Sequence, residues 1–158
     1  MNIVNKKLSL FLILACFGLI GCMAVSYPPP LPEKIEIVPP SADVSPEIAA
    51  FSGMWEGTWG GMSDETTIIV IEKIDNQKAD ILFSCGGKTP GQFYATGMVL
   101  TGPVIEWKMD KLPQIGDDKI ECPCTITLKM SKDSNSITAF WDFHVYNFKV
   151  RADLNRRK

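Results

Sequence analysis

The chain predicts an all-β domain from residue 51 onward, an up-and-down antiparallel barrel of about eight strands. Three observations predict it. Short β-branched or alternating runs recur through residues 51–153, turn residues separate them, and no segment sustains a helical apolar period. Closure into a barrel removes the exposed edges that an open sheet would leave. A two-sheet sandwich is the alternative with the same strand count.

The elements follow in order. Residues 54–60 open the domain. Residues 66–74 (TTIIVIEKI) are β-branched and almost unbroken, and residues 78–84 (KADILFS) alternate. That alternation sets Ala79, Ile81 and Phe83 on one face and Lys78, Asp80 and Ser84 on the other. Asp75-Asn76 between the two runs is a hairpin signal. Further strands are predicted at 92–100, 103–109, 122–130, 136–143 and 145–152. Gly86-Gly87, Thr89-Pro90-Gly91, Thr101-Gly102-Pro103, Gly116-Asp117-Asp118 and Asp133-Ser134-Asn135 supply turns. Residues 45–50 fit a single helical turn.

Ahead of the domain lie two segments of different character. Lys6 and Lys7 precede an uncharged apolar run from Leu8 to Ile20, which reads as a secretory signal, too short to span a bilayer as a mature helix. Seven of the 11 prolines then fall between Pro28 and Pro46. Proline holds such a stretch extended, so residues 22–50 read as a tether that lifts the domain away from its anchor. The expected organisation is a signal peptide over 1–21, a tether over 22–50 and one domain over 51–158. Loss of Lys6 and Lys7 leaves 14 basic against 18 acidic residues, a formal charge of −4. There is no basic patch, which argues against a nucleic-acid partner.

Leu19-Ile20-Gly21-Cys22 resembles the lipobox of bacterial lipoproteins. The resemblance implies diacylglyceryl transfer to Cys22, cleavage before it and acylation of the new amino terminus, with fatty acids such as palmitate. Ile13-Leu14-Ala15-Cys16 is a poorer box, because its use would leave residues 17–20 dangling on the mature end. Several acyl chains give lasting attachment where one would not. The partner so implied is a membrane of the bacterial cell envelope. Met23 behind the Cys looks like outer-membrane sorting, facing the periplasm or the cell surface.

Gly53 and Trp55 on the first strand resemble the Gly-x-Trp signature of lipocalins and related calycin barrels. In that family the Trp closes the barrel floor and a basic residue of the last strand lies across its ring. Lys149 and Arg151 both lie on the predicted last strand and fit that role. Residues 66–84 are also similar to small lipocalin-like domains of bacterial secreted proteins. The chain departs from the family in lacking its second Thr-Asp-Trp-type motif and its closing helix.

Trp55, Trp59, Trp107 and Trp141, with Phe83, have two readings. They fill a core, since aromatic rings bury the most area per residue, or they line a cavity. An eight-stranded barrel is just wide enough for either. Gly57 and Gly97 lack side chains where a plugged barrel wants them, which leans toward a cavity. Parity places Cys85 on the inward face of its strand and Cys122 and Cys124 on that of theirs. An oxidising envelope favours a bridge from Cys85 to Cys122 or to Cys124.

Nothing in the sequence names a reaction. Cys122-Pro123-Cys124 is too tight for a structural zinc site, and His144 is the only histidine. Asp142 and His144 share a strand face, but no motif places a serine beside them. No catalytic residue, metal ligand or cofactor is assigned. The expected function is non-catalytic binding of a small apolar or amphipathic ligand. The alternative is a protein-binding module, an inhibitor of envelope-directed hydrolases or an assembly partner, working through the charged connection 111–121 (KLPQIGDDKIE).

Overall fold

The structure, a computed structural model, describes residues 26–61, 65–88, 90–112 and 120–158, with the backbone alone at 111, 112 and 120–122. Cys22 and most of the 111–121 connection therefore lie outside the described residues. The strands are β1 (Gly53–Trp59), β2 (Thr66–Ile74), β3 (Lys78–Cys85), β4 (Gly91–Leu100), β5 (Val104–Leu112), β6 (Ile120–Met130), β7 (Ser136–Phe143) and β8 (Phe148–Arg156). Each pairs antiparallel with the next, and β1 pairs with β8, so the sheet is a closed up-and-down barrel and not a sandwich. A single helical turn, α1 (Pro46–Ala49), precedes β1.

The last strand starts three residues later than the sequence predicts. Residues 144–147 form a turn in which Asn147 takes φ +46° and the Tyr146 amide donates to the Phe143 carbonyl at 3.1 Å. Asn tolerates this left-handed conformation, but neither Gly nor Pro marks the site. The shift leaves Val145 and Tyr146 on the turn and carries the strand on to Arg156.

Arg156 decides how one end of the barrel is shut. Its guanidinium lies 4.2 Å from the centroid of the Trp55 ring, and it donates to the carbonyls of Ser52 (2.8 Å) and Ala50 (2.6 Å). The Trp55 indole N–H donates in turn to the Phe51 carbonyl at 2.8 Å. Phe51, Ile48 and Val44 pack beneath as a floor. The cation over Trp55 is thus Arg156, and neither Lys149 nor Arg151. Those two pair with Asp142 (2.8 Å) and Asp153 (2.7 Å) through exposed side chains. Gly53 serves the same latch: its φ is +124°, and a Cβ there would lie 2.6 Å from Arg156 Nη1.

The proline-rich segment is extended, as expected, but it does not stand free. Tyr27 and Gly87 exchange backbone hydrogen bonds (2.9 and 2.7 Å), and the Ser84 hydroxyl donates to the Pro30 carbonyl. Leu31 and Ile35 then pack on Ile68, Val70, Leu82 and Met54. Lower down, the Val38 amide donates to the Glu72 carbonyl (2.7 Å), and the Asn76 amide donates to the Asp43 carbonyl (3.0 Å). Residues 27–50 are therefore a strap laid along the outside of β1–β3. It explains the unbroken apolar run of β2: Ile69, Ile71 and Ile74 face the barrel core, while Ile68 and Val70 face the strap.

Close packing fills the places of Gly57 and Gly97. A Cβ at Gly57 would lie 2.7 Å from Leu154 Cδ2, and one at Gly97 would lie 2.6 Å from Ile105 Cγ2. These glycines admit neighbouring side chains rather than open a cavity. Opening occurs elsewhere in the wall. β4 and β5 pair only through Met98–Leu100 and Val104–Glu106, so Gly91 to Gly97 have no partner on β5.

The latch is testable. Arg156→Ala removes a cation–π contact and two charge-assisted hydrogen bonds at a half-open surface, and is expected to cost about 1–2 kcal/mol. Arg156→Lys restores only part, because a point ammonium cannot reproduce the guanidinium fork. Urea unfolding followed by tryptophan emission reads both, and an unshifted midpoint in Arg156→Ala would show that the floor closes without it.

Candidate functional site

The end of the barrel opposite the floor is bounded by the ends of β1, β3, β5 and β7 and the starts of β2, β4, β6 and β8. Alternation along each strand sends one ring after another into the interior just below this mouth. Phe83 is the hub. Its ring centroid lies 6.5 Å from Trp59, 6.2 Å from Trp107, 5.7 Å from Trp141 and 4.8 Å from Phe93. Trp59 meets Trp141 at 5.4 Å, and Trp141 stacks on Phe143 at 4.7 Å. Four of the five predicted ring residues are thus brought together. The fifth, Trp55, is in the floor. Phe93 and Phe143 join the cluster without having been singled out, although strand parity places both inward.

This cluster carries an unusual polar feature. The indole N–H groups of Trp59, Trp107 and Trp141 are buried and have no hydrogen-bond partner among the described residues. Buried indole donors normally find one. Leaving a donor unpaired costs roughly 1–3 kcal/mol. The interior offers no help, since the buried polar side chains described are Thr67 and Ser84. Thr67 donates to the Ser84 carbonyl (3.0 Å), and Ser84 to the strap. The parting of β4 from β5 leads to the same cluster: Phe93 and Ala95, the inward residues of the unladdered part of β4, are only half-buried.

Other candidates are not drawn together. Cys85 and Cys124 do not bridge each other, and Cys85 carries a free thiol, so the expected bridge from Cys85 is not formed. Both face inward, but β4 and β5 stand between their strands. Burial pushes the Cys85 thiol up to about 12, with the Glu65 charge acting in the same direction and the Thr67 hydroxyl against it. Asp142 binds Lys149 rather than orienting His144, whose Nε2 lies 2.8 Å from the Thr125 hydroxyl. No group of three His, Cys, Asp or Glu side chains among the described residues is placed to hold a metal. An outer cleft of about 420 Å³ contains Glu106 and Lys129, but Thr127 donates to Glu106 (3.2 Å) and Lys129 lies over the Phe140 ring (5.4 Å). Its charges are already met.

Among the described residues, no helix is long and apolar enough to cross a membrane. Comparison with protein-family models, with curated proteins and with solved structures finds no match.

The Cys85 thiol should be inert. With its pKa at about 12, only about one molecule in 10⁴ is thiolate at pH 8. Iodoacetamide applied at that pH is expected to leave Cys85 unmodified in the native chain and to label it after unfolding. Peptide mass mapping checks this, and rapid native labelling would contradict the burial.

Proposed function

We propose that the upper interior of the barrel binds a small amphipathic ligand, without catalysis, in a protein held on a bacterial envelope membrane by acyl chains on Cys22. The observation that carries the reading is that three indole donors without a partner among the described residues belong to one apolar cluster. Ligand oxygens accept from these donors, up to two at each oxygen, and the rings take the hydrocarbon. Among the described residues no basic side chain is buried there, so a full negative charge would meet no described counter-charge and be costly. The ligand class is therefore one with neutral acceptors, an acyl ester or a long-chain alcohol, ahead of a carboxylate. Cofactors play no part in this reading.

A titration of tryptophan emission with a fatty ester, a fatty alcohol, a fatty acid and an alkane of equal chain length tests it. The ester and alcohol should shift the emission most and the alkane least. Trp107→Phe keeps a ring and removes one donor, so ester affinity should fall about tenfold while the empty barrel, relieved of an unpaired donor, becomes no less stable. Equal response to ester and alkane, or none to either, would overturn the reading.

A second reading, a protein-binding module, draws on one specific observation. The edge of β4 that lacks a β5 partner also exposes Tyr94, the pattern that accepts an added strand. A photo-crosslinking residue at Tyr94 should then trap a partner in whole cells while one at Thr138 does not. Absence of an adduct at position 94 counts against it.

A further inference from the structure

The strap sets which end of the barrel meets an anchor. Tyr27 bridges to Gly87, directly after β3, at the mouth and not at the floor. Cys22 lies five residues before Tyr27, and five residues span at most about 18 Å however they run. A lipid held at Cys22 is therefore tied close to the mouth. The floor lies at the far end of the barrel.

The rim across the mouth from Gly87 is apolar. The β7–β8 turn exposes Val145 (68 %) and Tyr146 (74 %), and Phe148 beside it is 50 % exposed. Tyr27 itself is 53 % exposed on the opposite rim. Four strands separate the two sides in the barrel order, so the mouth is flanked by apolar groups rather than touched at one point. Large side chains at the tip of a tight turn bury nothing in the barrel. Grouped on one rim, these apolar side chains mark an interaction surface, and Tyr, like Trp, is enriched at lipid–water boundaries.

We infer that the mouth end of the barrel docks on a phospholipid surface, with Val145, Tyr146 and Phe148 of the β7–β8 turn entering the interface opposite the anchored rim. The inference rests on the reading of Cys22 as acylated. It makes the bilayer the source of the ligand, since the aromatic cluster lies just below the docked mouth. Charge is not the attraction. Among the described rim residues, Lys149 is paired with Asp142, and Lys88 and Glu65 are of opposite sign, so the docking is apolar and insensitive to salt.

The full chain, isolated from envelope membranes and placed in phosphatidylethanolamine–phosphatidylglycerol vesicles carrying brominated acyl chains, tests this. A tryptophan is added at the rim (Y146W) or at the floor-end turn between β6 and β7 (K132W), and the signal of the four native tryptophans is subtracted. The Y146W emission should shift to the blue and lose most of its intensity to bromine, at low and high salt alike, while K132W is unaffected. Equal quenching at both sites, or quenching at K132W alone, overturns the inference. Intact mass of the same sample reads Cys22 separately. Quenching of Y146W with an unmodified Cys22 upholds the docked rim and removes the anchor. An unmodified chain with no quenching removes both.

Discussion

The rest of the structure depends on the contact between Arg156 and Trp55. The guanidinium covers an indole face and ties down the carbonyls of residues 50 and 52, so the last strand is fastened to the approach of the first. The same side chain reinforces the backbone ladder that closes β1 on β8 and ties down the end of α1. It also sets the requirement for Gly53, whose backbone curls away beneath it. Because Phe51 and Ile48 are held there as a floor, the interior is shut at that end. Whatever reaches the buried rings must come from the mouth or through the wall.

Much of this was legible in the residues, and the failures have physical reasons. Strand rhythm and turn chemistry located seven strands closely, and the resemblance of Gly53 and Trp55 to the Gly-x-Trp signature pointed to the floor tryptophan. The register of β8 was hidden because Asn147 alone breaks the run from residue 145, and with it went the identity of the cation over Trp55. The strap was hidden because only Leu31 and Ile35 anchor its upper half, two apolar residues in a proline-rich stretch. Its counter-signal lay in β2, whose two apolar faces exceed what a half-exposed strand needs. Gly57 and Gly97 misled because a missing side chain does not say what fills the space. For the cysteines, parity gave the correct face but not the number of strands standing between them.

The interior poses a problem of magnitudes. Three unpaired indole donors together cost about 3–9 kcal/mol, comparable to the whole net stability of a domain this size. Phenylalanine would fill the same positions with no donor to satisfy. With no acceptor among the described residues the indoles are a liability in an empty barrel, and this is what supports the proposed ligand. The same arithmetic selects the kind of acceptor. An anion would exchange unpaired donors for an unpaired charge in the same apolar surroundings, a worse bargain than the one it replaced.

The two halves of the wall are built differently, and the difference bears on access. β1–β3 are double-layered, with the strap packed on their outer face and hydrogen-bonded at both ends. No described segment is laid over β4 and β5, which hold to one another through three residue pairs near the floor. Above those pairs the backbone groups of β4 that face β5 are not laddered, so parting the strands further breaks no ladder hydrogen bonds between them. Half-buried Phe93 stands at that gap with its ring stacked on Phe83. The chain thus spends its rigidity on the floor and the strapped wall, and its least-laddered seam lies beside the rings whose donors have no partner among the described residues.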